Sequence, residues 1–482
     1  MRRGTRQLAG AAAGRRELTG YLQGVLLVSL LGLGVRAVAL NLTPLWSDEA
    51  FMAVLMRRSL PAIIDVVHND NHPPLQYLLV RVATLLGDSP FWLRFPSVLA
   101  GTAAVPIAAA LGRRLGGNRA GLMSGAVVAL TPLLVLWSRD ARMYALATTM
   151  VLAMALALWR AVEKPTAGRL TVYGLTVLVG VYSHYFVALA VPPQLLAAAL
   201  CLRPSRTVIL KAAAVAAISG ATLLPWLLYA SPQFRHAGEP YWAQPLSLAA
   251  TWSQASFLVA HPGPTTLLVA IVVLGVPAVL AVALRTYRAA PVTARQGMLY
   301  LAACGVGGIV VLALVSLRKP VIDERFLNLY TTELLPPAGA ALAGTGRRWL
   351  MAMAVVLLLA TTVLEEATLQ TPEVPVVAAA LAGRVDPARD VVALEGPTLY
   401  FQVLYYGDEA TQRVVRVVDR AVPWYVGLAA FRPGDIVPAV PDAAGSVYLV
   451  RTADQPGLSM PAGLTMARRH CARGVCLETW TH

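Results

Sequence analysis

Charge is scarce in this sequence. Of 482 residues, 13% are Asp, Glu, Lys or Arg, while 57% are hydrophobic and the mean hydropathy is +0.62. That balance excludes a large soluble enzyme and points to a polytopic membrane protein. Acidic residues are scarcer still, 25 against 40 basic, for a formal charge of +15. In a soluble chain such an excess would suggest nucleic acid. Here the charges fall in short clusters between apolar runs, as loop charges that set membrane topology do, and no nucleic-acid partner is expected. Cysteine is rare too. Four residues are too few for a disulfide framework, and no Cys/His cluster has zinc spacing. No internal repeat or low-complexity tract is visible.

Where ionisable residues do gather, they are informative. The stretch from Trp46 to Pro74 places Asp48, Glu49, Asp65, Asp70 and His72 directly after a hydrophobic segment. It opens Trp46-Ser47-Asp48-Glu49-Ala50-Phe51 and closes Asn69-Asp70-Asn71-His72-Pro73-Pro74. Ionisable groups packed against membrane segments are costly and mark working sites.

Five arginines between Arg2 and Arg16 precede the apolar run Tyr21 to Leu40, which is long enough to span. Leu42-Thr43-Pro44 is not a small-x-small cleavage site, so an uncleaved first helix with a cytoplasmic basic N-terminus (1–20) is expected. Leu75 to Leu86 reaches only ~18 Å as a helix, too short for a ~30 Å hydrocarbon core, and reads as interfacial. Asp48 to Arg58 reads as a second such helix. Further spans are expected at Phe95–Leu111, Ala120–Trp137, Met143–Ala161, Leu170–Tyr182, Tyr185–Leu202 and Ala212–Ala230. They continue at Thr265–Leu284, Gly297–Leu317, Phe326–Ala343 and Trp349–Leu364, for about eleven in all.

Threading these spans from a cytoplasmic N-terminus gives one consistent topology. Arg113, Arg114, Arg119, Lys164, Arg169, Arg203, Arg206, Lys211, Arg285, Arg288, Arg295, Arg347 and Arg348 fall on the cytoplasmic side. Asp48, Glu49, Asp65, Asp70, Asp140, Glu239, Asp323 and Glu324 fall outside. The bias follows the positive-inside rule provided that Leu75–Leu86 does not cross. After Leu364, prolines and strand-like runs such as Val391–Leu394 and Ser446–Val450 indicate a small extracytoplasmic α/β domain over 371–482. An oxidising compartment would allow a short-loop disulfide between Cys471 and Cys476.

Three constellations are suited to chemistry on the outer side. In the first, Asp48 or Glu49 could serve as a general base for an acceptor hydroxyl; the plainer reading is a helix start capped by Ser47 or Asp48. In the second, Ser138-Arg139-Asp140-Ala141-Arg142-Met143-Tyr144, two arginines flank an aspartate and could bind phosphate, against a self-neutralising pair at a helix end. The third is Arg318-Lys319-Pro320-Val321-Ile322-Asp323-Glu324-Arg325-Phe326, whose cations could face a phosphate leaving group or snorkel to headgroups. His72, His184 and the loop Gln233-Phe234-Arg235-His236 leading to Glu239 and Trp242 are lesser candidates. Trp226, Trp242 and Trp252 read as an interfacial belt.

Taken together, the chain resembles the polyprenyl-phosphate-sugar-dependent glycosyltransferases of the GT-C superfamily, in the branch of protein O-mannosyltransferases and lipid A aminoarabinose transferases (glycosyltransferase family 39-like). The resemblance rests on Trp46-Ser47-Asp48-Glu49-Ala50, His72-Pro73-Pro74-Leu75, Leu93-Arg94-Phe95-Pro96-Ser97 and Gly112-Arg113-Arg114-Leu115-Gly116. It continues through Ser138-Arg139-Asp140-Ala141-Arg142-Met143-Tyr144-Ala145-Leu146, Ser183-His184-Tyr185-Phe186 and Glu324-Arg325-Phe326-Leu327. It implies a GT-C transmembrane domain over 21–365, with 41–92 as the first external catalytic loop. It also implies a sugar donor on polyprenyl phosphate and inverting transfer on the outer face of the plasma membrane. Asp48 would act as base, beside Glu49, and Asp140 matches the family's second acidic position. His72 stands where aminoarabinose transferases carry a phosphate-binding lysine. Arg139, Arg142, Tyr144, His184, Lys319 and Arg325 are the other candidates for holding substrate and phosphate. The donor is a substrate rather than a cofactor, and no metal is expected.

Mannose is the favoured sugar, and a glycan, lipoglycan or protein the acceptor. Arabinofuranosyl or other pentosyl transfer is an alternative, as is a ligase moving lipid-linked glycans. A lipid-linked sugar flippase is the alternative of a different class, but it should show polar groups at mid-membrane and a repeat. Here the polar residues concentrate on one face.

Overall fold

A computed structural model describes residues 2–235, 243, 247, 276–368, 373–420, 422–423, 426–442 and 445–482. His236, Glu239, Trp242 and Trp252, and the start of the expected Thr265–Leu284 span, lie outside the described residues. The chain divides into two compact units. One comprises residues 1–38, 97–227 and 240–368; the other comprises 39–96, 228–239 and 369–482.

The first unit is a helical bundle. Among the described residues, six helical segments are long and apolar enough to cross a membrane, and Arg348–Val363 is a shorter apolar helix. Helix α1 (Arg2–Ala37) carries the first of them. The expected spans Phe95–Leu111 and Ala120–Trp137 fall largely within α5 (Pro90–Leu130), which is two helices meeting at a kink. It is broken at Gly116 and at Gly117, whose φ of 75° and ψ of −165° suit glycine alone. Short α6 (Pro132–Ser138), with proline in its first turn, leads to α7 (Tyr144–Glu163) and then α8 (Ala167–Ser183), 17 residues long. The expected Phe326–Ala343 span is instead two short helices, Glu324–Thr331 and Leu335–Gly344, joined by a single 3-10 turn ahead of Pro336 and Pro337. A prolyl ring admits only the first turn of a new helix, which places the break here.

The core of this bundle is drawn from α5, α7 and the helix Val292–Ser316. Arg36 is the most deeply buried cation among its described residues. Arg36 is fully buried, and its guanidinium donates to the carbonyls of Gly32 (3.0 Å), Ala129 (2.7 Å) and Val128 (3.1 Å) and to Ser138 Oγ (3.1 Å). It thereby joins α1, α5 and α6. A Cβ on Gly101 would come within 2.0 Å of Ser138 Oγ and 3.0 Å of Arg36 Nε, so only glycine leaves room for that contact.

The second unit combines three short helices before residue 84 with a mixed sheet and further short helices, Val374–Leu381, Tyr400–Tyr406 and Glu409–Val414, after residue 373. The first three are α2 (Ser47–Met56), α3 (Leu60–Asn69) and α4 (Leu75–Ala83). At nine residues α4 extends about 14 Å, short of a membrane's thickness. The sheet contains β1 (Val391–Glu395), β2 (Val415–Val418), β3 (Ile436–Val437), β4 (Val447–Thr452), β5 (Thr465–Ala472) and β6 (Val475–Thr481). Their order is β3-β2-β1-β4-β6-β5, parallel through β4 and antiparallel beyond. The parallel strands are the most apolar, as strands covered on both faces must be. Cys471 and Cys476 face one another across the β5–β6 hairpin and form a disulfide.

Candidate functional site

The candidate residues fall into two clusters, one in each unit. In the second unit, Asp48 and Glu49 occupy the first turn of α2, where carboxylates favour the helix dipole. The N-cap position is Trp46, so neither Ser47 nor Asp48 stands at the cap; both lie inside the first turn. The two carboxylates differ sharply in setting. Asp48 is half-buried, whereas Glu49 is 1% exposed.

Glu49 is tied to Arg94, itself 3% exposed, through two parallel bonds of 2.6 Å, from Nε to Oε1 and from Nη2 to Oε2. Such a bidentate charge-assisted pair fixes orientation as well as charge. The remaining Arg94 donors reach the carbonyls of Leu40, Thr43 (3.1 Å) and Pro44 (3.3 Å). One guanidinium therefore holds both the 40–44 turn and the start of α2. Both main-chain polar groups of Leu45 are also held, by Tyr406 Oη (2.8 Å to its N–H) and by Gln402 Nε2 (2.8 Å to its carbonyl). Phe51 meets Phe401 edge to face at 5.2 Å. The helix Tyr400–Tyr406 thus buttresses the acidic turn from inside the C-terminal region.

His72 and Asp70 lie in the same unit, both buried. Tyr77 donates to Asp70 Oδ2 at 2.5 Å, and Gln233 Nε2 donates to the Val67 carbonyl (2.7 Å) and more weakly to that of His72 (3.4 Å).

The first unit brings three separate sequence motifs together. The linker between α6 and α7 carries Arg139, Asp140 and Arg142, with Tyr144 opening α7. Arg139 is directed to the end of α1, donating to the carbonyls of Val35 (3.2 Å), Arg36 (3.3 Å) and Val38 (2.6 Å). Cationic donors at a helix C-terminus satisfy its orphan carbonyls. Asp140 and Arg142 are both buried, and Ser97 Oγ donates to the Arg142 carbonyl at 2.9 Å.

His184, 3% exposed, follows α8. Burial, together with nearby Arg142, pushes its pKa down to about 3. Its Nδ1 accepts from the Phe186 N–H at 3.1 Å, which fits a neutral ring. Tyr144, His184 and Phe326 pack with ring centroids 5.4–6.4 Å apart, and Trp137 lies 5.0 Å from Tyr144. The Arg325 guanidinium sits 5.6 Å from the Trp137 ring centroid and 6.0 Å from that of Tyr144. It pairs with Asp323 Oδ1 at 3.3 Å, while Glu324 Oε1 is 3.9 Å away. Burial and the neighbouring Asp323 raise the Glu324 carboxyl to about 7. Arg142, Tyr144, His184 and Arg325 therefore form one cationic, aromatic-walled cluster, with Asp323 and Glu324 beside it. Lys319 is half-buried in the segment leading to Asp323.

Sequence reasoning singled out neither Arg36 nor the Tyr406 and Gln402 pair, and saw Arg94 only as part of a motif. An arginine inside an apolar helix was the available signal for Arg36. No local signal marked the other two. Among the described residues, no three His, Cys, Asp or Glu side chains converge as a metal site would require.

Residues 71–229 match the family model of dolichyl-phosphate-mannose-protein mannosyltransferases. A search of curated protein sequences finds no match. Among solved structures, the chain is similar to ArnT from Cupriavidus metallidurans in its apo state, with a TM-score of 0.65, 13% identity and coverage of 96% of this chain and 98% of that one. The same protein bound to undecaprenyl phosphate gives 0.60 at 14% identity, over 94% and 97%. The archaeal oligosaccharyltransferase AglB from Archaeoglobus fulgidus, in complex with an inhibitory peptide and a dolichol-phosphate, gives 0.51 at 12%, over 90% and 70%. The chain therefore shares the fold of these solved proteins.

Proposed function

We propose that this protein is a membrane glycosyltransferase that moves a monosaccharide, mannose in the favoured case, from a polyprenyl-phosphate donor to an acceptor hydroxyl. The observation that carries this reading is the pair of unlike carboxylates in one rigid turn. Glu49 is buried and matched by Arg94, while Asp48 is half-buried on the same fixed scaffold. The likeness to a structure holding undecaprenyl phosphate supports a lipid-phosphate donor.

In the proposed reaction Asp48 takes the proton of the acceptor hydroxyl as its oxygen attacks the anomeric carbon. The bond from that carbon to the phosphate oxygen breaks on the opposite side, with inversion. Polyprenyl phosphate leaves with the bonding electrons. Arg142 and Arg325 are assigned to the phosphate, where cations preorganised in a dry site stabilise the developing charge best. Lys319 is a third cation for the same task. Neutral His184 and Tyr144 shape that surface, and Glu49 with Arg94 positions the turn that bears Asp48. Arg139 is assigned to holding α1. Transfer on the outer face agrees with the distribution of Lys and Arg and with a disulfide formed in an oxidising compartment. The reading needs no divalent metal.

The test is transfer from radiolabelled polyprenyl-phosphate mannose and arabinofuranose in membranes bearing wild-type or Asp48→Asn protein, with and without a chelator. Label should reach an acceptor only with wild type, and the chelator should leave the rate unchanged. Folded wild-type protein that transfers from neither donor would overturn the proposal.

A further inference from the structure

The first unit carries two grooves that the proposed reaction does not use. One, of about 540 Å³, has Tyr21, Leu22, Val25, Pro106 and Ala110 along it and Arg113, Arg114 and Arg160 at its rim. The second, of about 590 Å³, is lined by Ile107, Leu156, Ala157 and Val172, with Arg160 again and Arg169. The grooves therefore meet at Arg160. Both have apolar lengths running along α1, α5, α7 or α8, and both end in guanidinium groups.

These cations are poorly matched by acid. Glu163 pairs with Arg114, yet Arg113, Arg160 and Arg169 make no ion pair with any described residue. Arg160 lies close enough to Arg114 and Arg169 to be repelled by both, a repulsion that the nearby Glu163 carboxylate offsets only in part, and Arg169 Nη1 donates to the Arg160 carbonyl at 2.7 Å. Aromatic rings fix two of the group. Arg113 lies 4.6 Å from the Tyr21 ring centroid and Arg114 5.0 Å from that of Trp159. Four guanidinium groups gathered around the single carboxylate of Glu163 leave net positive charge for a further anion to neutralise. A free phosphate would satisfy the rim but leave the apolar grooves unused.

We propose that these paired grooves bind an anionic phospholipid carrying two phosphates, its acyl chains in the two grooves and its phosphates on either side of Arg160. Basic pockets between membrane helices suit such headgroups. They lie at the end that the Lys and Arg distribution assigns to the cytoplasm, so the site is separate from the one assigned to transfer.

The test uses purified, delipidated full-length protein in detergent, titrated with tetraoleoyl cardiolipin while thermal unfolding is followed. Cardiolipin should raise the midpoint saturably. Phosphatidylglycerol, with one phosphate, should do so more weakly, and phosphatidylcholine and inorganic phosphate not at all. Arg160→Gln and Arg169→Gln should each shift half-saturation about fivefold upward, near the contribution of one basic residue to an anionic lipid surface. Arg119→Gln, outside both grooves, should not. Equal stabilisation by phosphatidylcholine, or by phosphatidylglycerol, would overturn the proposal, as would a response to inorganic phosphate alone. Unchanged half-saturation in Arg169→Gln would do the same, and that half-buried position tests the idea even if Arg160→Gln fails to fold.

Discussion

The Glu49–Arg94 pair gives the sharpest test of how the acidic turn works. Arg94→Met keeps the length and apolar body of the side chain but removes every donor. Two bonds of 2.6 Å to Glu49 are lost, along with the donors to the carbonyls of Leu40, Thr43 and Pro44. Glu49 then loses its guanidinium partner while only 1% of its surface is exposed. Removing one partner of a buried pair destabilises by roughly 3–5 kcal/mol. Replacing both by apolar groups is far less harmful, so Glu49→Leu combined with Arg94→Met should recover much of that loss. Equilibrium unfolding in mixed detergent micelles would measure all four corners of the cycle. Activity should behave differently. The double variant regains stability but not the geometry of the turn. Because a misplacement of ~1 Å can lower a rate about 100-fold, its kcat should stay depressed by about that factor. An Arg94→Met protein with wild-type stability would refute the assignment of the pair as a buried anchor. A stable double variant with wild-type kcat would refute its role in positioning Asp48.

The remaining predictions concern residues with separate jobs. Asp48→Asn should lower transfer about 10²- to 10⁴-fold, the range for a general base, with unfolding unchanged; loss of fold instead would make Asp48 structural. Glu324, raised to about 7, stays protonated in the folded protein across a window in which the unfolded chain has ionised. Its contribution to stability is therefore present in acid, below the ordinary carboxyl range, and is lost as pH rises through 7. Over the same rise Asp323, Glu324 and Arg325 together pass from neutral to singly negative, so KM for a phosphate donor should climb between about pH 6 and 8. Glu324→Gln should flatten that limb, and an unaltered profile would remove Glu324 from consideration. His184, held near 3 by burial, stays neutral throughout and cannot produce it. Tyr406→Phe removes the partner of the Leu45 N–H, for a loss of about 1 kcal/mol, and should lower kcat with little change in donor KM. A change in KM alone would place Tyr406 in binding rather than in holding the turn.

The legible part of the site is the part written in local contrast. Asp48 and Glu49 stood out because acid is rare and expensive in so apolar a chain, and the Ser138–Tyr144 and Arg318–Phe326 motifs stood out for the same reason. Their residue types were readable, but not their division of labour. Arg139 and Arg142 look alike in sequence, yet one caps α1 and the other lies buried beside His184, a difference set by where α6 ends. Asp48 and Glu49 are adjacent, yet it is Glu49 that is held bidentately by Arg94, 45 residues away, because successive positions at a helix start point about 100° apart. The contact from Leu45 to Tyr406 spans 361 residues and leaves no periodicity to read. The same limit applies to the bundle. Apolar length located its segments, but the break at Gly116 and Gly117 and the interruption before Pro336 decided which runs are single helices. Composition therefore indicates where chemistry can occur, while the partners that hold each group, Arg94 above all, come from segments far apart in the chain. It follows that a variant at Arg94, which carries no chemistry itself, should report on the acidic turn as sensitively as one at Asp48.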